Sequence, residues 1–176
     1  MLGTIVIYKS TSGFTRKYAE WIAEDLKADL FDARKFDAQK LADYDMIVFG
    51  RSLHAVGISG VKLLKENFTR LAHKKIIVFA VGASPYKEKI TEEIATKNFS
   101  VEQQKNLKLF YLRGGFCFDK LDFTNKIVMS LFRVRLSLKK NKTPDEKGML
   151  AAYSRPIDCT KKENIKAIVE YAQSLV

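Results

Sequence analysis

The sequence predicts an α/β fold in which a parallel sheet carries helices on both faces. Short apolar runs rich in β-branched residues alternate with segments whose apolar residues recur at helical spacing. The runs are apolar at nearly every position, as expected of strands that are buried on both faces. A length of 176 residues is that of one domain. We therefore expect a single domain over residues 1–176, with right-handed crossovers between the strands.

Five apolar runs are predicted as strands, and the segments between them as helices. The strands are expected at residues 4–8, 28–31, 46–50, 76–82 and 107–112. Helices are expected at 14–26, 59–68, 88–96 and 121–138, with a last one around 165–172. The lysine-rich stretch 139–148 contains a proline and a glycine, which predicts a loop.

Composition and charge indicate which partners and which cellular compartment to expect for the protein. A net charge of +11 and a pI near 9.6 favour polyanionic partners, without choosing between nucleic acid, lipid and acidic protein. The two cysteines, Cys117 and Cys159, suggest no disulfide framework and form no C-x-x-C pair, so we expect a reducing, cytoplasmic setting. Residues 1–8 lack the pattern of a signal peptide, and no apolar run predicts a membrane span. His54 and His73 have no supporting ligands, so no metal site is expected.

A hydroxyl-rich turn follows the first predicted strand. Ser10-Thr11-Ser12-Gly13-Phe14-Thr15 places four hydroxyl residues in six positions, at the start of a predicted helix. Backbone amides at a helix start can hold a phosphate, and Gly13 can adopt a positive φ. The turn is neither a Walker A loop nor a dinucleotide G-x-G-x-x-G loop. The alternative is an ordinary helix N-cap made by Thr11 or Ser12.

Two further loops follow the third and fourth predicted strands. Parallel strands end at the same edge of a sheet, so residues 50–57 and 82–86 are expected to lie near the hydroxyl-rich turn. Their glycines and small residues suit loops that close on a flat ligand. Tyr86 is the candidate for offset stacking on such a ligand. The alternative for Tyr86 is packing against a neighbouring helix.

The hydroxyl-rich turn resembles the flavodoxin signature S/T-x-S/T-G-x-T at its usual place after strand one. The resemblance implies a flavodoxin-like, doubly wound sheet with strand order 2-1-3-4-5. It also implies flavin mononucleotide (FMN), with the phosphate in the turn and the ring between the second and third loops. The FMN-binding residues would be Ser10, Thr11, Ser12, Gly13, Phe14, Thr15, Ser52, Leu53, His54, Ala55, Gly82, Ala83, Ser84 and Tyr86.

Within this group the chain resembles the menaquinone-dependent protoporphyrinogen oxidase branch. Residues 50–57 are similar to that branch's G-x-S-I/L-R/H-x-G loop, and Arg113-Gly114-Gly115-Phe116 precedes a basic insert at 116–148. The resemblance implies oxidation of a porphyrinogen, in heme biosynthesis, with electrons passed through FMN to a quinone. Arg51, His54 and Arg113 would then be catalytic candidates, facing a substrate carboxylate or the reduced flavin. An electron carrier, a quinone reductase of another pathway and a flavin-less binding module remain alternatives.

The charge near the predicted flavin site departs from that of electron-transfer flavodoxins. Those proteins tend to surround the ring with acidic residues, whereas this chain places Arg51 and His54 in the second loop. Positive charge stabilises an anionic reduced flavin. We therefore expect two-electron dehydrogenation rather than low-potential electron carriage.

Residues 120–142 form a strongly basic, apolar stretch. They contain seven Lys or Arg and one Asp, a net of +6 within the chain's total of +11. Basic residues beside bulky apolar ones are typical of a helix at the surface of an anionic membrane, here the inner face of the cell membrane. A core helix with a solvated basic face is the alternative. Nucleic acid is not expected as a partner, because no recognition motif accompanies the charge.

Overall fold

The computed structural model describes residues 3–54 and 57–176. Its strands are β1 Thr4–Lys9, β2 Asp29–Asp32, β3 Met46–His54, β4 Gly57–Ile58, β5 Lys75–Gly82, β6 Leu107–Arg113, β7 Gly115–Phe116 and β8 Ile157–Asp158. The five long strands form one parallel sheet in the order β2-β1-β3-β5-β6. This confirms the predicted fold and the order 2-1-3-4-5 of the long strands. The short β4 pairs antiparallel with the end of β3, and β7 pairs with β8.

Seven α-helices connect and flank these strands in the described ranges. They are α1 Phe14–Leu26, α2 Lys62–Glu66, α3 Ile90–Asn98, α4 Val101–Lys105, α5 Phe123–Leu138, α6 Pro144–Ala152 and α7 Lys166–Gln173. In the part of the chain that the structure describes, no helix is both long and apolar enough to cross a bilayer.

The apolar core lies on both faces of the sheet. Because successive strand residues point to opposite faces, Val6 and Val48 pack with α1 and α7, whereas Ile5 and Ile47 pack with α2 and α3. All four of these side chains are fully buried. The uniformly apolar runs in the sequence therefore reflect a sheet that is covered on both sides.

Two predicted elements differ from the structure. The predicted helix at 59–68 is shorter, because α2 covers only Lys62–Glu66 and is followed by the 3-10 turn Phe68–Leu71. The predicted loop at 139–148 is wrong in its second half, where α6 begins at Pro144. The Thr143 hydroxyl accepts from the Glu146 amide, and the Glu146 carboxylate accepts from the Thr143 amide. This capping box, with proline at the first helical position, starts a helix despite the lysine-rich composition.

The carboxyl end of β2 is held by an ion pair between Asp32 and Arg34. The Arg34 guanidinium donates to both Asp32 oxygens, and the Arg34 amide also donates to Asp32. These hydrogen bonds lower the pKa of Asp32 from 3.8 to about 2, and those from the Arg34 side chain contribute most. The carboxylate side chain is 17% exposed, so solvent screens the pair only in part.

We expect Asp32→Asn to lower the free energy of unfolding at pH 7 by about 1–2 kcal/mol. The folded-state pKa is depressed, so the stabilisation is present above the unfolded pKa of 3.8 and is lost as the pH falls towards 2. Urea unfolding at pH 7 and at pH 2 measures the difference. Asp119→Asn, at an exposed carboxylate without an ion pair in the described chain, is the matched control. A deficit of equal size at both pH values would contradict this assignment.

Candidate functional site

The turn between β1 and α1 leaves the start of the helix open. Gly13 occupies the N-cap position with φ 95° and ψ −22°, a left-handed conformation that favours glycine. Its amide donates to Ser10 Oγ at 3.0 Å. No side chain caps α1 in the described structure, so the alternative of an N-cap by Thr11 or Ser12 is wrong. The first amides of α1 also have no intrahelical acceptor, which leaves them available to an anion.

The charges at the start of α1 favour an anion as well. The first turn contains no acidic residue, although the positive end of a helix dipole usually attracts one. Instead it carries Arg16 and Lys17, which pair with Glu20 at 2.7 Å and with Asp158 at 3.1 Å. Residues 10–15 contain no Asp or Glu, so the turn has no negative group of its own.

A hydroxyl contact joins the turn to the end of β3. Thr15 is 1% exposed, and its Oγ1 lies 3.1 Å from Ser52 Oγ. Ser10 and Ser12 are half-buried, while Thr11 and Gly13 are exposed. The structure therefore brings two of the three predicted loops together at the carboxyl edge of the sheet, next to the point where the strand order reverses between β1 and β3.

Arg51 lies one residue before Ser52, on the opposite face of β3. Its side chain is 2% exposed and stacks with its guanidinium carbon 4.2 Å from the Phe49 ring centroid. Nε and Nη1 have no hydrogen-bond partner among the described residues. Burial lowers the pKa of Arg51 to about 10, and the nearby Asp32 partly offsets this effect. Arg51 is thus a buried, charged group at neutral pH, and its side chain lies away from the surface of the site.

The last described residues of β3 are Leu53 and His54. Leu53 is half-buried and His54 is exposed. Hydrogen bonds from Asn125 lower the pKa of Asp122 at the start of α5, and the nearby His54 makes a smaller contribution to this lowering. Ala55, also predicted to contact the flavin ring, lies outside the described residues.

The loop after β5 is held by its neighbour β6. The Tyr111 hydroxyl donates to the Ser84 carbonyl at 2.5 Å, and the Gly114 amide donates to the Gly82 carbonyl at 2.8 Å. Gly82 must lack a side chain, because a Cβ there would lie 2.7 Å from the Tyr111 hydroxyl oxygen. Tyr86 is 65% exposed, so packing against a neighbouring helix does not account for its ring.

The loop after β6 packs against α1. The Tyr18 hydroxyl donates to the Arg113 carbonyl at 2.7 Å and accepts from Asn164 at 2.7 Å. The Phe14 ring covers the loop, since a Cβ at Gly115 would lie 2.8 Å from Phe14 Cζ. The structure therefore uses Phe14 to hold this loop in place, while the Arg113 side chain stays exposed.

A groove of about 460 Å³ lies between the loop after β5 and the helices α5 and α6. Arg113, Ala83 and Ser84 line it, as the sequence predicts for a site at this edge. The sequence analysis did not assign most of the other lining residues to this site, among them Lys87, Phe132, Leu136, Met149 and the carboxylates Asp145 and Glu146. The spacing of Phe132 and Leu136, four residues apart on a helix, was the available signal that they share a face. Two cations, two carboxylates and several apolar side chains thus converge beside the predicted ring loops.

Comparison with known proteins assigns the family. The sequence profile of the flavodoxin domain matches residues 5–144, which is well over half of the chain. No curated protein matches. Similar solved structures include a short-chain flavodoxin associated with a non-canonical PDU bacterial microcompartment, with 17% identity and a TM-score of 0.48 over 74% of this chain and 99% of that one.

Two other solved structures are comparably distant. A putative flavoprotein from Bacteroides eggerthii has 13% identity and a TM-score of 0.47, over 79% of this chain and 100% of that one. Oxidised flavodoxin 2 from Bacillus cereus has 22% identity and a TM-score of 0.42, over 74% of this chain and 94% of that one. Because these TM-scores lie below 0.5, the family assignment depends on the profile match and not on them. On that match, the chain belongs to the flavodoxin domain family.

Proposed function

We propose that this protein is an FMN-dependent oxidoreductase that resembles the porphyrinogen dehydrogenases. The observation that carries the proposal is the uncapped start of α1 behind a turn of four hydroxyl residues, with Gly13 in the left-handed conformation. A helix start without a cap or an acidic residue suits a phosphate dianion. Membership of the flavodoxin domain family supports FMN as the group that carries this phosphate.

The residues of the turn fit the phosphate in three ways. The open amides at the start of α1 donate to it, and the hydroxyls of Ser10, Thr11 and Ser12 lie in the same turn. Thr15 is held by Ser52, so its hydroxyl is fixed in position before any ligand arrives. When bound, FMN supplies a centre that accepts two electrons from an organic substrate.

The ring of FMN would lie between the loops after β3 and β5. Ser84 is fixed through its carbonyl by Tyr111, which gives one wall of this space a defined backbone position. Tyr86 supplies an exposed aromatic ring for stacking, and the small side chain of the exposed Ala83 allows close approach. These residues orient the ring and limit the access of water to it.

The groove beside these loops suits a large, partly apolar, carboxylated substrate. Arg113 and Lys87 provide two cations, and Phe116, Phe132 and Leu136 provide apolar surface, while the carboxylates Asp145 and Glu146 also line the groove. The Glu146 carboxylate at the groove is already bound by Lys139 and by the Thr143 amide. A porphyrinogen combines an apolar macrocycle with carboxylates and therefore matches this lining. A quinone is the proposed electron acceptor.

A flavodoxin-type electron carrier is the main competing function. Against it, Arg51 and Arg113 place positive charge at the carboxyl edge of the sheet, which favours the anionic reduced form of a flavin. We expect a reductive titration of the FMN-loaded protein to give a single two-electron step at a potential above that of low-potential flavodoxins. Two well-separated one-electron steps at low potential would favour the carrier instead.

The substrate assignment is tested by anaerobic turnover of protoporphyrinogen with a menaquinone analogue as acceptor. The Lys87→Gln/Arg113→Gln double variant should raise KM for the porphyrinogen about tenfold or more, since each charged hydrogen bond contributes about 1.5–3 kcal/mol. FMN affinity should stay unchanged. Arg70→Gln/Lys97→Gln, at two exposed cations outside the groove, is the matched control. Reduction of the quinone by other donors without any oxidation of porphyrinogen would overturn this assignment.

A further inference from the structure

The helix α5 has two apolar faces on opposite sides. Its inner face contacts the rest of the protein through Leu136, which is 5% exposed, and through Phe132, which lines the groove. The Tyr153 hydroxyl also donates to the Met129 carbonyl at 2.7 Å, which fixes the helix against the end of α6. This inner face accounts for the attachment of α5 to the protein.

The outer face of α5 is a continuous apolar band of exposed side chains that belong to neither core cluster of the described structure. At about 100° per residue, its five side chains fall within an arc of about 80°, centred opposite Leu136. These residues and their exposed fractions are Phe123 79%, Ile127 48%, Leu131 67%, Val134 57% and Leu138 78%. The band runs for about 22 Å along the helix, since each residue rises about 1.5 Å. An exposed apolar patch of this kind marks an interaction surface.

Positive charge surrounds this outer face. Lys126, Arg135 and Lys140 lie on or just after α5 and form no ion pair among the described residues. Asp122 is the single acidic residue in the sequence of residues 120–142. It is the N-cap of α5, where its carboxylate accepts a hydrogen bond from the Asn125 amide. The outer face is therefore apolar at its centre and cationic at its borders.

We propose that the outer face of α5 binds the surface of an anionic lipid bilayer, with the helix lying in the plane of the interface. Apolar side chains would enter the boundary of the acyl chains, and the flanking cations would meet lipid headgroups. Charge complementarity favours this occupant over a second copy of the chain. Self-association would bring two segments of net charge +6 together, and like charges at an interface are unfavourable.

Membrane docking would also position the groove. Phe132 and Leu136 line the groove from the inner side of the same helix whose outer face binds lipid. The groove would then open close to the bilayer, where a lipid-soluble electron acceptor is dissolved. This consequence rests on the proposed function, whereas the lipid binding itself does not.

Vesicle flotation tests the proposal with the full chain, both with and without FMN. Wild-type protein should bind phosphatidylglycerol vesicles at least tenfold more tightly than phosphatidylcholine vesicles, and added salt should weaken this binding. Ile127→Ser/Leu131→Ser/Val134→Ser should reduce binding by at least about tenfold, because three apolar side chains leave the lipid. These positions are exposed, so the variant should keep the far-UV circular dichroism of wild type. Val101→Ser on α4, at another exposed apolar side chain, is the matched control and should bind normally.

Charge is tested separately with Lys126→Gln/Arg135→Gln/Lys140→Gln. This variant should lose its preference for phosphatidylglycerol, while the control Lys97→Gln/Lys161→Gln/Lys166→Gln should retain it. Equal binding to both vesicle types by the wild type would overturn the proposal, as would unchanged binding by the triple serine variant. A dimer in the absence of vesicles, dissociated by the serine substitutions, would assign the outer face to a second copy instead. Binding measured without FMN separates failure of this proposal from failure of the flavin site.

Discussion

Ser12→Ala/Thr15→Ala is expected to weaken FMN binding about a hundredfold or more. Each substitution removes a hydroxyl from the turn that would surround the phosphate, and hydrogen bonds to charged groups contribute about 1.5–3 kcal/mol each. Thr15 is also the residue that connects the turn to β3 through Ser52, so its loss loosens the position of the turn. Quenching of FMN fluorescence in a titration of the apo-protein measures the dissociation constant.

Two control variants separate the loss of these hydroxyls from other effects of the substitutions. Thr15→Ser retains a donor at the same position and should lose little affinity, since only a methyl group is removed. Thr96→Ala/Ser137→Ala removes two exposed hydroxyls outside the turn and should bind FMN as the wild type does. Wild-type affinity in Ser12→Ala/Thr15→Ala would show that the phosphate binds elsewhere.

Gly50→Ala is expected to lower the free energy of unfolding by about 2–3 kcal/mol, a cost typical of overpacking in a close-packed core. Gly50 is in the middle of β3, and a Cβ there would lie 2.1 Å from Cζ of Phe79 on the neighbouring strand. Phe79 is fully buried between the sheet and α1, so its ring has little room to move. Urea unfolding monitored by circular dichroism measures this loss of stability.

Gly148→Ala provides a matched control with the opposite sign. Gly148 is exposed within α6, and a Cβ there would meet no atom within 4 Å. The same chemical change should therefore stabilise the protein by about 0.5–1 kcal/mol, because alanine favours the helix. The Gly50→Ala/Phe79→Leu double variant should lose less free energy of unfolding than the two single variants lose together, since both changes act on one contact. Simple additivity would contradict the steric explanation.

The sheet and the hydroxyl-rich turn could be predicted because their signals are local. Runs such as residues 46–50 are apolar throughout, and burial on both faces requires this wherever the strand lies. The turn at residues 10–15 likewise carries its own hydroxyls and glycine. The start of α6 has a local signal too, in the capping box of Thr143 and Glu146, but the lysine, proline and glycine around it are typical of a loop.

Other features depend on contacts between distant parts of the chain. The alternation of side chains along β3 predicts that Arg51 and Ser52 lie on opposite faces. The burial of Arg51 could not be predicted, because it depends on packing between Phe49 and the distant Gly60. The groove could not be predicted either, because one wall is the loop after β5 and the other begins with Phe132 of α5, which is 45 residues beyond Lys87. The outer face of α5 was visible as an excess of apolar residues, but only the packing of Leu136 shows which of them remain exposed.

Titration of the purified protein with FMN, followed by gel filtration and a visible absorption spectrum, tests the central claim most directly. The expected result is a yellow protein that retains one FMN per chain, with the flavin absorption bands shifted from those of free FMN. The Ser12→Ala/Thr15→Ala variant should lose the colour under the same conditions. A wild-type protein that is colourless after gel filtration would contradict flavin binding at the start of α1, and with it the proposed oxidoreductase.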